Sequence, residues 1–488
     1  MQFIHKKLVA AVSGAVFIMA GQLALADSTN DLVDALVTKG VLTEEEGKLL
    51  TKGHQGEVDG TKKKEKSYAR GSFNFRGYTQ ARNTPVISGD DGINLWSDRS
   101  VGDDSSLNNQ DHNFLIRRMR MIFYGDVGDR LYYYVQPDLA SSIGGTSNSN
   151  VSGAGGFAQL RDAYGDIYIT KNKVHRIRVG QSKVPYGFEN MQSSQNRLAL
   201  DRVDAMNSAV RDERDLGAFY YYTPENVQAL FKEIQDGGLK HSGNYGMLAL
   251  GIYNGQGANA RDMNDNYHVV ARATYPWKTE SGQIFEMGIQ GYHGEYVPVA
   301  RTYNATGGTT ATLATADIGR ITATSGGATL VTRQPRLAVS NGIADERVGL
   351  SFMMYPQPFG LEAEWNWGKT PGLDIATNTI QEKSLNGGYV QTMYKIDNFK
   401  FLDTNGTLIP FLKWQYFDGY NKAEDNAPRN QVNDWELGME WQIAPEVELV
   451  AEYHRMKRNN LVTGNTNNRL DYARFEADVL RLQLQWNY

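Results

Sequence analysis

The last ten residues, VLRLQLQWNY, set Leu480, Leu482, Leu484, Trp486 and Tyr488 on one side of an extended chain. Val479, Arg481, Gln483, Gln485 and Asn487 fall on the other side. Side chains alternate across a strand with a period of two, so this segment is a strand with one apolar face. In GLEAEWNWGK, Leu361, Ala363, Trp365 and Trp367 oppose Glu362, Glu364 and Asn366. In NDWELGMEWQI, Trp435, Leu437, Met439, Trp441 and Ile443 oppose Glu436, Gly438, Glu440 and Gln442, and EVELVAEYH places Glu448, Val450, Glu452 and His454 together. Similar alternation recurs near 68–82, 113–126, 130–139, 157–170, 173–182, 214–223, 227–235, 243–254, 266–276, 283–297, 344–355, 384–397 and 407–419. That makes seventeen segments.

These segments reach the ~9–11 residues that a tilted strand needs to cross a bilayer. Their connections come in two kinds. Gly128-Asp129, Asn172 and Pro356 to Phe359 mark short turns, whereas 83–112, 140–156, 184–213 and 298–343 are long. Short turns at one end and long loops at the other belong to a transmembrane barrel, whose strand number is even in a single bacterial chain. The expected fold is therefore all-β, a transmembrane antiparallel barrel of sixteen strands or eighteen. The Thr/Ala/Gly-rich stretch within 298–343 reads as one surface loop or hides a hairpin. Tyr132-Tyr133-Tyr134, Tyr220-Tyr221-Tyr222 and Trp486/Tyr488 are expected in the interfacial aromatic girdles. A soluble sandwich would explain neither these aromatics nor an alternating last strand that ends on one.

Composition agrees. A mean hydropathy of −0.49 excludes a bundle of membrane helices, each of which needs ~20 consecutive apolar residues. Zero cysteines exclude disulfides, thiolate metal sites and cysteine nucleophiles. A formal net charge of −5 points away from nucleic-acid binding, which wants a basic face.

The start of the chain is different in kind. Lys6 and Lys7 precede an apolar run from Leu8 to Met19, and Ala24-Leu25-Ala26 fits a cleavage site, so residues 1–26 read as a signal peptide. The protein is then exported, and the barrel places it in a Gram-negative outer membrane. Residues 27–66 read as a periplasmic leader and 67–488 as the barrel. Leu32, Val33, Leu36 and Val37 have helical spacing, Gly40 stops that helix, and Thr43 with Glu46 forms a capping box for a second one. A lysine-rich linker, Lys62 to Lys66, follows.

Three stretches carry a resemblance: LIRRMRMIFYGDVGDRLYYYVQPDLA (115–140), LRDAYGDIYI (160–169) and RIRVGQSKVPYGFENMQSSQNRLALDR (176–202). They resemble the phosphate-selective porins O and P, and KGVLTEEE (39–46) is similar to the leader of many members. The strong part covers about 67–225; beyond it the likeness is one of pattern and of the last strand, in which Tyr488 replaces the commoner phenylalanine. The resemblance implies sixteen strands, a homotrimer, and a third long loop folded inward to narrow the pore. GQSKVPYGFEN matches the point where that loop leaves its strand.

Selectivity has to be read from the residues. If Phe73, Phe75, Met119, Met121, Phe123, Ile177 and Val179 face lipid, then Arg76, Arg118, Arg120, Arg176 and Arg178 face the lumen, with Lys183 at the entrance to the inward loop. Guanidinium groups stay charged and hold oxyanions bidentately, so a ring of them favours anions. Against this, Asp126, Asp162 and Asp166 could neutralise them, and Glu362, Glu364, Glu436, Glu440, Glu448 and Glu452 make the C-terminal wall acidic.

The expected function is a passive diffusion channel for small hydrophilic solutes, phosphate or other anions among them, with outer-membrane lipid around it. It is not read as an enzyme. Eight scattered histidines offer no pair at metal-ligand spacing, and Gly153-Ala154-Gly155-Gly156 lacks the Lys-Ser/Thr of a phosphate loop. Neither a cofactor nor a metal is implied. Two readings of other classes compete: a sheath around exported electron-transfer partners, and a surface-binding adhesin carried by the long 298–343 loop.

Overall fold

The computed structural model describes residues 71–90, 114–140, 158–299, 342–463 except 378, and 470–488, together with 41–52 and single positions between them. Residues 1–26, read from sequence as a signal peptide, and the Lys62–Lys66 linker lie outside these residues, as does most of 298–343. The leader forms one unit, to Gly71, and the barrel a second, from Ser72. In the leader a helix runs over 44–52. Its capping box is made as the spacing predicts: the Thr43 N–H donates to Glu46 Oε2 at 2.9 Å, and the Glu46 N–H donates to Thr43 Oγ1 at 3.3 Å.

The second unit is a closed antiparallel barrel of 16 strands. We number them β1 (Asn74–Asn83), β2 (Phe114–Val127), β3 (Leu131–Asp138), β4 (Gln159–Tyr168), β5 (His175–Lys183) and β6 (Arg214–Tyr222). Then follow β7 (Leu248–Tyr253), β8 (His268–Lys278), β9 (Ile284–Tyr296), β10 (Ile343–Met354) and β11 (Phe359–Asp374). The last are β12 (Thr379–Tyr394), β13 (Thr404–Tyr420), β14 (Arg429–Ala444), β15 (Val447–Thr463) and β16 (Leu470–Asn487). Each pairs with the next, and β1 pairs with β16 in the register Tyr78↔Asn487 to Asn83↔Leu482. Closure leaves no open edge for lipid to meet, which a membrane requires. Short strands Val86–Gly89 and Ile396–Phe401 lie beside β16 and β13, and within the long 298–343 connection Tyr303–Asn304 pairs with Thr310–Ala311 as a small hairpin outside the barrel wall.

The alternation predicted from sequence is the alternation observed. On β14, Trp435 and Leu437 are 50% and 58% exposed toward lipid, whereas Glu436 and Glu440 are 3% and 0% exposed. Aromatic side chains cluster on the outside of the barrel. Trp277 stacks on Phe285 with centroids 5.3 Å apart, and Trp365, Trp414, Tyr416 and Trp435 form a connected cluster. The tyrosine triplets divide, because neighbours on a strand face opposite ways. Tyr221 is buried on the lumen side, and Tyr134 stacks on Tyr164, which carries the guanidinium of luminal Arg178, so only part of each triplet belongs to the girdle.

One of the seventeen expected strands is a helix. Residues 227–235 lie within α3 (Glu225–Asp236), the third helix of the barrel unit after α1 (Phe188–Met191) and α2 (Asp204–Asn207). Val227, Phe231 and Ile234 are its buried residues. Their spacing is that of one helix face, which wins over the weaker period-two pattern because it gives the segment a single apolar stripe to bury. Removing this segment leaves the even number that a barrel needs.

Candidate functional site

The site is built by the connection between β5 and β6. Residues 184–213 fold inward, and nearly all of them are buried. Their fixings lie around most of the wall. Ser194 Oγ lies 2.7 Å from Tyr78 Oη of β1, and Arg347 of β10 donates to Ala205 O and Ser208 Oγ at 3.0 Å. Glu364 of β11 accepts from the N–H groups of Phe188 (2.5 Å) and Glu189 (2.8 Å). Lys413 of β13 pairs with Glu189 at 2.5 Å, Arg458 of β15 pairs with Asp204 at 2.5 Å, and Glu452 accepts the Leu200 N–H at 3.0 Å. The acidic C-terminal wall expected from the alternation is therefore present, and much of it is spent holding this loop.

All six cations predicted to line the pore are on the lumen side, but their surroundings differ. Arg76 bonds Gln195 Oε1 at 3.0 Å, near the periplasmic end. Arg118 donates to Gln80 Oε1 at 2.9 Å and lies 3.6 Å from Asp201. Arg120 pairs with Asp138 at 2.8 Å. Arg178 forks onto Asp166 at 2.7 and 2.9 Å, with its plane 3.7 Å from the Tyr164 ring centroid. Arg176 lies over Tyr221 and donates to the Asn244 carbonyl. Lys183 donates to the carbonyls of Met191 (2.8 Å) and Gln192 (2.5 Å). Of the three aspartates weighed against them, Asp166 pairs with two of these arginines, Arg178 at 2.7 Å and Arg176 at 3.9 Å. Asp162 pairs instead with Arg214 at 3.0 Å, and Asp126 with Lys173 at 3.4 Å.

Other cations of the site escaped the alternation argument. In the β1–β2 ladder Gln80 faces Arg118 and Ala81 faces Ile116, so Arg117 is bulged out of register. In the β3–β4 ladder Gln136 faces Asp162 and Pro137 faces Leu160, so Arg161 is bulged in the same way. A bulge sets two residues against one and re-aims a side chain. Arg117 thereby joins Arg118 on the lumen side, 3.6 Å from Asp98 and 3.7 Å from Asp201, and Arg161 reaches Asp212 and Glu213 at 3.3 Å. Arg82 and Arg481 do obey the alternation, and Arg481 stands on the polar face of the last strand as read from sequence. On the loop, Arg202 pairs with Glu213 at 2.5 Å, and Arg197 is held by the carbonyls of Ala199 and Leu200.

Two loop carboxylates are electrostatically fixed. Burial pushes the Asp201 carboxyl up, but Arg82 and Arg481, with Arg117 and Arg118, outweigh it and hold it well below the usual carboxylate range. Glu213 behaves likewise: burial opposes ionisation, and Arg202, Arg161 and Arg214 overcome it. Among the described residues, no cluster of metal-ligating side chains is present.

A family model for phosphate-selective porin O and P matches residues 92–488. No curated protein sequence matches the chain. The barrel is similar to solved outer-membrane proteins. Salmonella typhi OmpF in complex with daunomycin is 11% identical, with 86% of this chain and 98% of that chain covered and a TM-score of 0.48. An anion-selective porin from Comamonas acidovorans is 11% identical, with 86% and 100% covered and a TM-score of 0.45. A loop-deletion mutant of Vibrio cholerae OmpT is 10% identical, with 86% and 100% covered and a TM-score of 0.44.

Proposed function

This chain belongs to the phosphate-selective porin O and P family, and from that premise we propose that its channel passes small anions, inorganic phosphate among them, along one side of the eyelet. The chain is an outer-membrane porin, a passive diffusion channel rather than an enzyme. The observation that carries the anion reading is the pair of bulges: each adds an arginine, Arg117 or Arg161, to a wall that already presents Arg118, Arg120 and Arg214. Arg197 adds positive charge that backbone carbonyls hold without cancelling. Guanidinium groups at a water-filled constriction exchange one weak hydration shell for bidentate contact with an oxyanion. Across from β2 to β4, β11 carries Glu362 and Glu364, so a field runs across the eyelet and anions keep to the arginine side.

The same reading takes 1–26 as a cleaved signal peptide, 27–66 as a periplasmic leader, and the trimer as the working unit. The test is the reversal potential of purified protein in a salt gradient, with chloride and then with phosphate. Anion preference that falls in the Arg117→Gln/Arg161→Gln double variant supports the proposal. A reversal potential that starts cation-selective and does not respond to those substitutions overturns it.

A further inference from the structure

We propose that a strap from the periplasmic side, residues 237–247, sets the size limit of this pore beneath the inward loop, with the Lys240–Glu440 ion pair as its latch. The inference rests on the channel reading above. On this side of the barrel the other connections are short, such as 445–446, 128–130 and 279–283. The β6–β7 connection, 223–247, is long and carries α3.

Two features bring it inside. The first is hydrophobic: Val227, Phe231 and Ile234 of α3, with Leu239, pack on Phe188 of the inward loop and on Ile284, Met353 and Tyr355. The last three stand at the periplasmic ends of β9 and β10 and are buried on the lumen side, so the helix is seated in the mouth rather than below it. Burying an apolar stripe is what fixes an amphipathic helix in place.

The second feature is ionic. After Gly238, at φ 60, and Lys240, also in left-handed geometry, the chain turns into the lumen. The Lys240 ammonium reaches Glu440 on β14, and both side chains are buried. In a ring of 16 strands, β14 stands opposite β6, the strand from which this connection departs. The latch therefore closes across the width of the barrel.

Between its ends the strap hangs from the inward loop. Gln192 donates to the Lys240 carbonyl at 2.7 Å, and Asn196 to the His241 carbonyl at 2.8 Å. On the return to β7, Arg176 donates to Asn244 O and Arg272 to Gly246 O at 3.2 Å, while Arg178 lies over the Tyr245 ring. Arg176 and Arg178, which sequence assigns to the pore lining, thus also clamp the strap. A segment tied to opposite walls divides the passage, and any solute that clears the loop still has to pass beside it. Removing one member of the latch strands a buried charge, which is relieved when the strap swings out of the lumen.

The chain has no cysteine, which gives a clean test. In a Lys240→Cys/Glu440→Cys variant, conductance and the permeation of neutral sugars of increasing size are measured before and after bridging with a short thiol-to-thiol crosslinker. The unbridged form should admit larger sugars several-fold faster than wild type, and bridging should restore the wild-type limit. Glu440→Gln should widen the limit, and the exchanged pair Lys240→Glu/Glu440→Lys should return it. Channels that conduct with the same size limit in every form, bridged or not, overturn the strap while leaving the channel reading standing. Absence of conductance in every form overturns the channel reading and this proposal with it.

Discussion

Arg82 on β1 and Arg481 on β16 are like charges on neighbouring strands, and both bind the same two carboxylates, Asp98 and Asp201. The first and last strands of the barrel thus meet at a cluster to which the β1–β2 loop contributes one acid and the inward β5–β6 loop the other. All four side chains are almost fully buried. The seam of the barrel and the position of the eyelet loop are one electrostatic structure.

Replacing Asp201 by Asn keeps the shape and removes one of the three carboxylates, Asp98, Asp201 and Glu452, that hold this pair of arginines. An unpaired buried charge costs about 3–5 kcal/mol; here it is left on the strand arginines, and the loop loses the acid that anchors it to them. The expected outcome is a lower denaturant midpoint in refolding assays together with noisier single-channel currents. Adding Arg82→Gln to the same chain should recover part of the loss, since Arg82 pairs with Asp98 and Asp201, whereas Arg481 also holds the buried Glu452. A midpoint and noise unchanged from wild type would show that the cluster does not hold the loop.

The same acids give the loop a pH dependence. Asp201 and Glu213 are held below the usual carboxylate range in the folded state by the arginines around them. Their folded pKa values are depressed, so their contribution is fully present above the unfolded values near ~4 and is lost as pH falls through the folded ones. Conductance noise should therefore stay flat from neutrality down to about pH 4 and rise in stronger acid. Asp201→Asn should abolish part of that rise. Noise that begins to climb near pH 7 would point to other groups.

Much of this was legible in the sequence, for a definite reason. A lumen on one side and lipid on the other impose strict period two, and Glu436, Glu440, Glu452 and Arg481 lie where that period puts them. The pattern fails where local geometry departs from it. Residues 227–235 alternate weakly yet bury Val227, Phe231 and Ile234 as a helix face, a spacing that competes in the sequence with the strand pattern around it. Arg117 and Arg161 enter the lumen through bulges, and a bulge is set by the partner strand, which periodicity within one strand does not report. The pairing of Arg120 with Asp138 and the partition of the tyrosine triplets are consequences of register. The inward fold of 184–213 was expected from the resemblance alone, since its residues carry no alternation.

Charge pairing in the lumen predicts which aspartate masks an anion site. Asp166 accepts two bonds from one edge of the Arg178 guanidinium, Nε and Nη2. In Asp166→Asn the arginine stays stacked on Tyr164 but loses its countercharge. One unit charge acts with about 1 kcal/mol at ~4 Å in water, so the anion-to-cation permeability ratio should rise by up to about fivefold. Bi-ionic reversal potentials measure it. A ratio that does not move would mean that permeating ions do not approach this part of the wall, and would confine the filter to the Arg117–Arg118 side.

The end of the chain closes the barrel on a glycine. Gly77 on β1 donates its N–H to the Tyr488 carbonyl at 2.6 Å and accepts the Tyr488 N–H at 3.0 Å. A Cβ at position 77 would lie 2.3 Å from the Tyr488 ring and 2.6 Å from the Arg120 carbonyl, and neither contact is tolerable. The ring also stacks on Phe75, at 6.2 Å between centroids. Gly77→Val should therefore expel the terminal tyrosine from its seat, undoing the last backbone pair of the β1–β16 seam. Overpacking of this kind costs about 1–3 kcal/mol, and it falls on the step that turns an open sheet into a closed barrel. Heat-modifiable mobility on gels should show a smaller folded fraction for Gly77→Val. Replacing Tyr488 by Ala in the same chain removes the ring contact, leaves the one with the Arg120 carbonyl, and should raise the folded fraction part of the way. A double variant that folds no better than Gly77→Val would place the fault in the backbone contact with Arg120 rather than in the ring.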